Sequence, residues 1–121
     1  MGDEFAVTEE ATADDRYVVA VRGPVNLFTS ARLLGKLLEA IDAGRDRLVI
    51  DLCETTSMDS SGMSALISAR KRMARHPHGQ IVVACLSDDL MHAFKVTGLD
   101  QLLRFEPTRQ SALDALAQPP T

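Results

Sequence analysis

Two short apolar runs, 47-RLVIDLC-53 and 80-QIVVACL-86, are each followed by a segment of helical periodicity. Runs of this length with few polar breaks suit strands buried in the middle of a sheet. Strand, helix and strand in succession require a crossover connection, and crossovers build a mostly parallel sheet with helices packed on it. A chain of 121 residues suits one such domain and is long enough to bury a core without disulfide or metal support. The expected fold class is therefore α/β, a single domain over 1–121 with its core at 4–117 and loose ends. Its sheet should be mixed and mostly parallel, with about four or five strands and about four helices.

The rest of the chain fits this plan. The segments 4-EFAVTE-9 and 16-RYVVAVRG-23 have strand composition and are separated by the turn-forming 12-TADD-15, which predicts an opening hairpin. Leu27, Ala31, Leu34, Leu38 and Ile41 recur at the period of one helix face, with Gly44 as the stop. After the 47–53 strand, 54-ETTSMDSSG-62 reads as a loop leading to a second helix whose inward face is Gly62, Leu66, Ala69 and Met73. Its end falls at 76-HPHG-79. Ser87 should cap a third helix with Leu90, Met91 and Phe94 inward and Gly98 at its end. A short strand, 101-QLLRF-105, and a last helix, 108-TRQSALDALA-117, close the chain.

Composition removes several function classes. A formal charge of −4 and a pI near 5.3 argue against nucleic acid, whose binders carry a basic footprint. No apolar run approaches the roughly 20 residues that span a bilayer. The acidic start, 1-MGDEFAVTEEATADD-15, lacks the basic and apolar regions of a signal peptide, so a cytoplasmic protein with no membrane partner is expected. Cys53 and Cys85 lie in strand-like runs and read as structural thiols. His76, His78 and His92 read as solvated or satisfied side chains, not as metal ligands. Neither Gly-rich phosphate-loop pattern is present, and no cofactor is expected.

Chemistry concentrates at 58-MDSSGMSALISARKRM-73. Asp and Ser before a helix are preferred N-caps, and capping alone accounts for 59-DSSG-62. The same place is also suited to an anion: free N–H groups and the positive end of the helix dipole would face a phosphate on Ser60. A phosphate brings roughly −1.5 to −2 charges at neutral pH and would repel a partner docked on the loop. Catalysis has less support, because the G-x-S-x-G elbow of hydrolases is absent here. Asp51 lies near the end of a strand, as the phosphoacceptor of a response-regulator receiver domain does. However, 20-AVRGPVN-26 has no acid to complete the metal site of that family. The basic cluster 70-RKRMAR-75 reads as a solvated helix face or, alternatively, a docking surface.

The segment 49-VIDLCETTSMDSSGMSALISARKR-72 resembles the strand, D-S-[ST]-G loop and helix of the STAS domain family, in particular the bacterial anti-sigma factor antagonists. The resemblance continues through 81-IVVACLSDDLMHAFKVTGLDQLLRFEPTRQSALDAL-116, so it covers nearly the whole chain. It implies a single STAS-type domain that is a binding module and kinase substrate, not an enzyme. The unphosphorylated form would bind an anti-sigma factor that is also a serine kinase, releasing a sigma factor. That kinase, using Mg-ATP, would then modify the serine after the Asp, and a serine phosphatase would reset the switch. Carried onto this sequence, Ser60 is the phosphoacceptor, Asp59 the neighbouring acid, and Ser61 with Gly62 completes the loop. A monomer is expected in the free state. The alternative within the family is a structural subunit of a signalling scaffold or of a cytoplasmic transporter assembly.

One departure from the family pattern stands out. Where such proteins often carry G-E-L-D after the second strand, this chain has 23-GPVN-26. Asn26 keeps the capping ability of the acid and loses its charge, which bears on how readily the serine is modified. Leu27 and Phe28, directly after it, have two readings: a hydrophobic staple at the start of the helix, or a docking patch for the partner.

Overall fold

The computed structural model describes residues 4–116. β1 (Ala6–Ala11) and β2 (Tyr17–Val25) form the opening hairpin, antiparallel with Ala6 opposite Arg22 and Ala11 opposite Tyr17. Thr12 and Asp15 make its turn, Asp15 taking a positive φ of 68°. There follow α1 (Leu27–Asp42), β3 (Arg47–Met58), α2 (Ser60–Met73), β4 (Gln80–Ala84) and α3 (Asp88–Thr97). A single 3-10 turn (Leu99–Gln101), β5 (Arg104–Glu106) and α4 (Arg109–Ala115) complete the fold. The sheet order is β1-β2-β3-β4-β5, with all pairs after the first parallel.

That order decides where the helices lie. Strands β2 to β5 are added one after another in the same direction, and crossovers are right-handed almost without exception, so α1, α2 and α3 all reach the same face. There Leu33, Leu37 and Ile41 of α1, Leu66, Ala69 and Met73 of α2, and Leu90 and Phe94 of α3 pack on Val19, Val21, Leu48, Ile50 and Val83. Phe94 meets Phe105 of β5 with ring centroids 5.0 Å apart. The second face is left to α4, whose Ala112 and Leu113, with Leu116 just beyond, cover Val18, Val49, Val82 and Ala84.

The structure departs from the sequence reading in several places. The inward face of α1 is Ser30, Leu33, Leu37, Ala40 and Ile41; Leu27 and Ala31 are exposed and Leu34 and Leu38 only half-buried. Two overlapping series of apolar residues run along this helix at 3–4 spacing, and packing on the sheet selects the one containing Leu33 and Leu37. The second strand runs on to Val25, and β5 is confined to Arg104–Glu106 because Leu99–Gln101 is taken into the 3-10 turn. Cys53 is exposed, although Cys85 is buried as expected. Desolvation and the Asp51 carboxylate nevertheless push the Cys53 thiol up to about 12, so it stays protonated. The last residue of the expected closing helix, Ala117, lies outside the described residues.

The largest departure is the length of β3. Residues 54–58, read as loop, continue the strand and pair with β2 as far as Val25 opposite Met58, although β4 stops opposite Asp51. Two register shifts let the strands stay together, one between Ala20 and Arg22 and one between Gly23 and Pro24. At the first, the Cys53 N–H turns to Asp51 Oδ1 at 2.9 Å, while Asp51 Oδ2 accepts from Arg109 Nε of α4 at 2.7 Å. Close by, the Thr55 hydroxyl donates to the Val21 carbonyl at 3.1 Å. Asp51, where a receiver domain would carry its phosphoacceptor, is thus a structural pin, only 7% exposed.

Burial alone would raise the pKa of Asp51, but the Cys53 N–H and the Arg109 guanidinium outweigh it and hold the carboxyl below its ordinary 3.8. A carboxyl depressed in the folded state contributes stability that is fully present above the unfolded value and is lost as pH falls through the folded one. Asp51→Ala should therefore cost about 2 kcal/mol in urea unfolding at pH 7, the scale of hydrogen bonds to a charged group. The gap between variant and wild type should hold down to about pH 3.8 and narrow only as pH falls further, through the lowered folded value; a gap that did not narrow there would contradict the ionised pin.

Candidate functional site

The C-terminal ends of β2 and β3 meet at a backbone bond from the Asp59 N–H to the Val25 carbonyl, 3.1 Å long. Each strand passes into a helix at once, β2 through Asn26 into α1 and β3 through Asp59 into α2, and the two helices pack against each other. Two helix N-termini therefore lie side by side at one tip of the domain. Both caps are side chains of the preferred kind with extended backbones. Asn26 Oδ1 accepts from the N–H groups of Phe28 and Thr29 at 2.9 and 3.1 Å. Thr29 Oγ1 accepts from the Asn26 N–H at 2.8 Å and donates to the Pro24 carbonyl, closing a capping box.

At the second terminus Asp59 Oδ1 accepts from the N–H of Ser61 at 2.9 Å, the N–H of Gly62 at 3.2 Å, and the Ser61 hydroxyl. The Ser61 hydroxyl is the largest influence in holding the Asp59 carboxyl below its usual range, and the two N–H bonds add to it against desolvation. Ser60, the first helical residue, is exposed, and its hydroxyl bonds to none of the described residues. The two serines are thus inequivalent, with Ser61 bound into the cap and Ser60 presented to solvent. The expectation of free N–H groups facing a phosphate on Ser60 needs correction, because the Ser61 and Gly62 donors are already taken by Asp59.

Gly62 is buried where the first turn of α2 crosses the strand ends. A Cβ there would lie 2.6 Å from Met58 Cγ and 2.8 Å from Val25 Cγ1. Glycine is what allows this turn to sit directly on the sheet, and with it sets the position of Ser60.

Leu27 and Phe28 are 71% and 83% exposed, which rules out the hydrophobic staple. Together with half-buried Met58 and Met63 they give the tip an apolar rim. Of the two readings of Leu27 and Phe28, this exposure leaves the surface patch, and it overturns the placement of Leu27 on the inward face of α1. Its position in the first turn, ahead of the Leu33–Leu37–Ile41 series, was the available signal. Asp59 is the only charged residue in 23–31 and in 55–69, the stretches that build the tip. On a chain with 30 charged residues among 121, counting 13 Lys and Arg with 17 Asp and Glu, these stretches are sparsely charged.

Other candidates lie elsewhere. His78 and His92 are exposed and His76 is half-buried, and no group of three or more His, Cys, Asp or Glu among the described residues is placed to hold a metal ion. In the basic cluster, Arg72 is paired with Asp42 and Arg70 Nε donates to the Leu102 carbonyl, so part of it serves to hold α2 against its neighbours. No helix among the described residues is long and apolar enough to cross a membrane.

A five-stranded mixed sheet with two capped helix N-termini at one strand end, one of them presenting a free serine, defines a small α/β domain built around an exposed D-S-S-G turn. Residues 7–112 match the family model of the STAS domain, and the chain belongs to that family. An anti-sigma-B factor antagonist of Listeria monocytogenes is 29% identical over 96 residues, covering 76% of this chain and 80% of that protein. The crystal structure of an anti-sigma factor antagonist from Mycobacterium paratuberculosis superposes with a TM-score of 0.86 at 23% identity, over 96% of this chain and 97% of the other. The Bacillus cell fate determinant SpoIIAA in its phosphorylated form gives a TM-score of 0.70 at 18% identity, over 93% and 100% of the two chains.

Gly62→Ala should lower stability by about 1–3 kcal/mol in denaturant unfolding, because Val25 is stiff and the first turn of α2 must move away from it. A Gly62→Ala variant as stable as wild type would show that the turn has room that these distances exclude.

Proposed function

We propose that this protein is an anti-sigma factor antagonist switched by phosphorylation of Ser60. With Ser60 unmodified it binds an anti-sigma factor that is also a serine kinase, and the sigma factor held by that protein is released. The kinase then transfers the γ-phosphoryl group of Mg-ATP to Ser60 and the complex dissociates; a serine phosphatase restores the binding form. The observation that carries this reading is the unbonded, exposed Ser60 hydroxyl at the centre of an almost uncharged, apolar tip. The names of the Listeria and Mycobacterium relatives support the partner class, and the phosphorylated Bacillus relative of the same fold supports the modification.

The chemistry asks little of this chain. The kinase brings nucleotide, metal and base, and the substrate need only hold a hydroxyl in place at a rigid point of the fold. Leu27 and Phe28 serve as the apolar anchor of the contact, with Asn26 and Asp59 setting the two helix starts that flank it. Once Ser60 carries a dianion, docking the same surface would require dehydrating that charge within an apolar contact, which weakens binding without any refolding.

Incubation with the partner kinase and ATP, followed by mass spectrometry, should place one phosphate on Ser60; modification elsewhere, or none with an active kinase, would overturn the switch. Ser60→Ala should bind the kinase and resist modification, and Ser60→Asp should bind more weakly. Phe28→Ala should weaken binding about tenfold or more, as loss of an aromatic anchor does, with no change in fold by circular dichroism. Copurification with a transporter subunit in place of such a kinase would favour the structural-subunit role instead.

A further inference from the structure

Resting on the reading of Ser60 as phosphoacceptor, we propose that Asp59 is a specificity-determining residue: it withholds Ser61 from modification, and it occupies the anion site of α2 so that a phosphate on Ser60 is kept out of it. Both halves follow from a single carboxylate oxygen. Asp59 Oδ1 accepts from the Ser61 and Gly62 N–H groups and from the Ser61 hydroxyl, while the Met63 N–H goes to the Asp59 carbonyl at 3.2 Å. The second, third and fourth residues of the helix therefore have their N–H groups committed before any phosphate arrives.

Transfer to a serine forms a bond from Oγ to the γ-phosphorus and breaks the bond from that phosphorus to the β,γ-bridging oxygen. ADP leaves, and the hydroxyl proton passes to the base of the kinase. Ser61 enters this step at a disadvantage, because its hydroxyl proton is already directed at Asp59 and the residue is half-buried in the first turn. Ser60, one residue earlier, has neither restraint.

The phosphate that results finds the N–H groups of Ser61, Gly62 and Met63 already taken, and so loses most of what a helix N-terminus ordinarily offers an anion. It instead lies beside the carboxylate of the neighbouring residue, the one charged group in the stretches 23–31 and 55–69 that form the tip. Both of its charges thus remain outward, toward partner and phosphatase, and are not absorbed into the cap. In the place where the family often has a second acid the chain carries Asn26, so Asp59 is the one carboxylate that these two stretches bring to the phosphate.

The test introduces phosphoserine at position 60 by genetic code expansion, in the full chain and in Asp59→Asn and Asp59→Ala backgrounds. The phosphate is titrated by phosphorus NMR while the Ser61 and Gly62 amides are followed by proton–nitrogen correlation. In wild type the second phosphate pKa should lie above the value of about 6 for phosphoserine, with the two amides nearly indifferent to the titration. Asp59→Asn, which keeps a capping side chain and loses its charge, should bring the pKa back toward that value. Asp59→Ala should take it lower, with both amides moving as the freed N–H groups pass to the phosphate. A wild-type pKa at or below 6 with both amides following the phosphate would show that phosphate displaces Asp59, and would overturn the proposal. No kinase is needed, so the two failures are distinguishable: an adverse titration removes the role of Asp59 and leaves the switch, whereas absence of Ser60 modification in the kinase assay removes the switch on which that role rests.

Discussion

The geometry of the tip depends on β3 staying paired with β2 beyond the point where β4 ends. From Leu52 to Met58 the strand has β2 on one side and no β4 on the other, and over roughly 20 Å it must hold its place with one ladder. Two register shifts fall in this stretch, each of which takes a backbone group out of regular pairing. Asp51 and Thr55 compensate, the first by accepting the Cys53 N–H and the second by donating to the Val21 carbonyl. Arg109 ties the arrangement to α4 and also reaches Glu10 of β1, so the pin connects elements from both ends of the chain. Without that extension Asp59 could not meet Val25, and the starts of α1 and α2 would not be neighbours.

The elements of the fold were legible in the sequence because each carries its own local signal. The strands begun at Arg47 and Gln80, the Ser87 cap, the stops at Gly44 and Gly98 and the inward face of α2 all stand as the residues suggest, although Cys53 and Leu86 at the ends of the two apolar runs are exposed. What was not legible depends on tertiary context. Residues 54–58, ETTSM, have the polar composition of a loop, and only the exposure of that part of β3 lets them be a strand. The face of α1 was ambiguous because two apolar series share the helix, and the sheet beneath chose between them. For the site, the place of 59-DSSG-62 at a helix start could be read from the sequence, but the partners of the Asp59 carboxylate could not. The same residue types make a cap or an empty anion site, and only the hydrogen bonds distinguish the two.

The contrast between the two caps bears on how such a tip can work. Asn26 and Asp59 do the same geometric task at neighbouring helix starts, yet only one is charged. Two carboxylates there would have repelled each other and surrounded Ser60 with negative charge before any modification. With Asn26, the surface around Ser60 before modification is the apolar rim of Leu27, Phe28, Met58 and Met63 together with a single acid whose charge is already shared among three donors. Adding a dianion to a surface with one negative charge changes its electrostatics proportionally more than adding one to a more acidic surface. Under the proposed switch, a rigid domain that presents its hydroxyl in a sparsely charged region would gain a large difference in binding from a small covalent change. With the Ser61 and Gly62 N–H groups already bound to Asp59, the difference that the proposed phosphorylation would make is not diminished by those groups turning to the new charge.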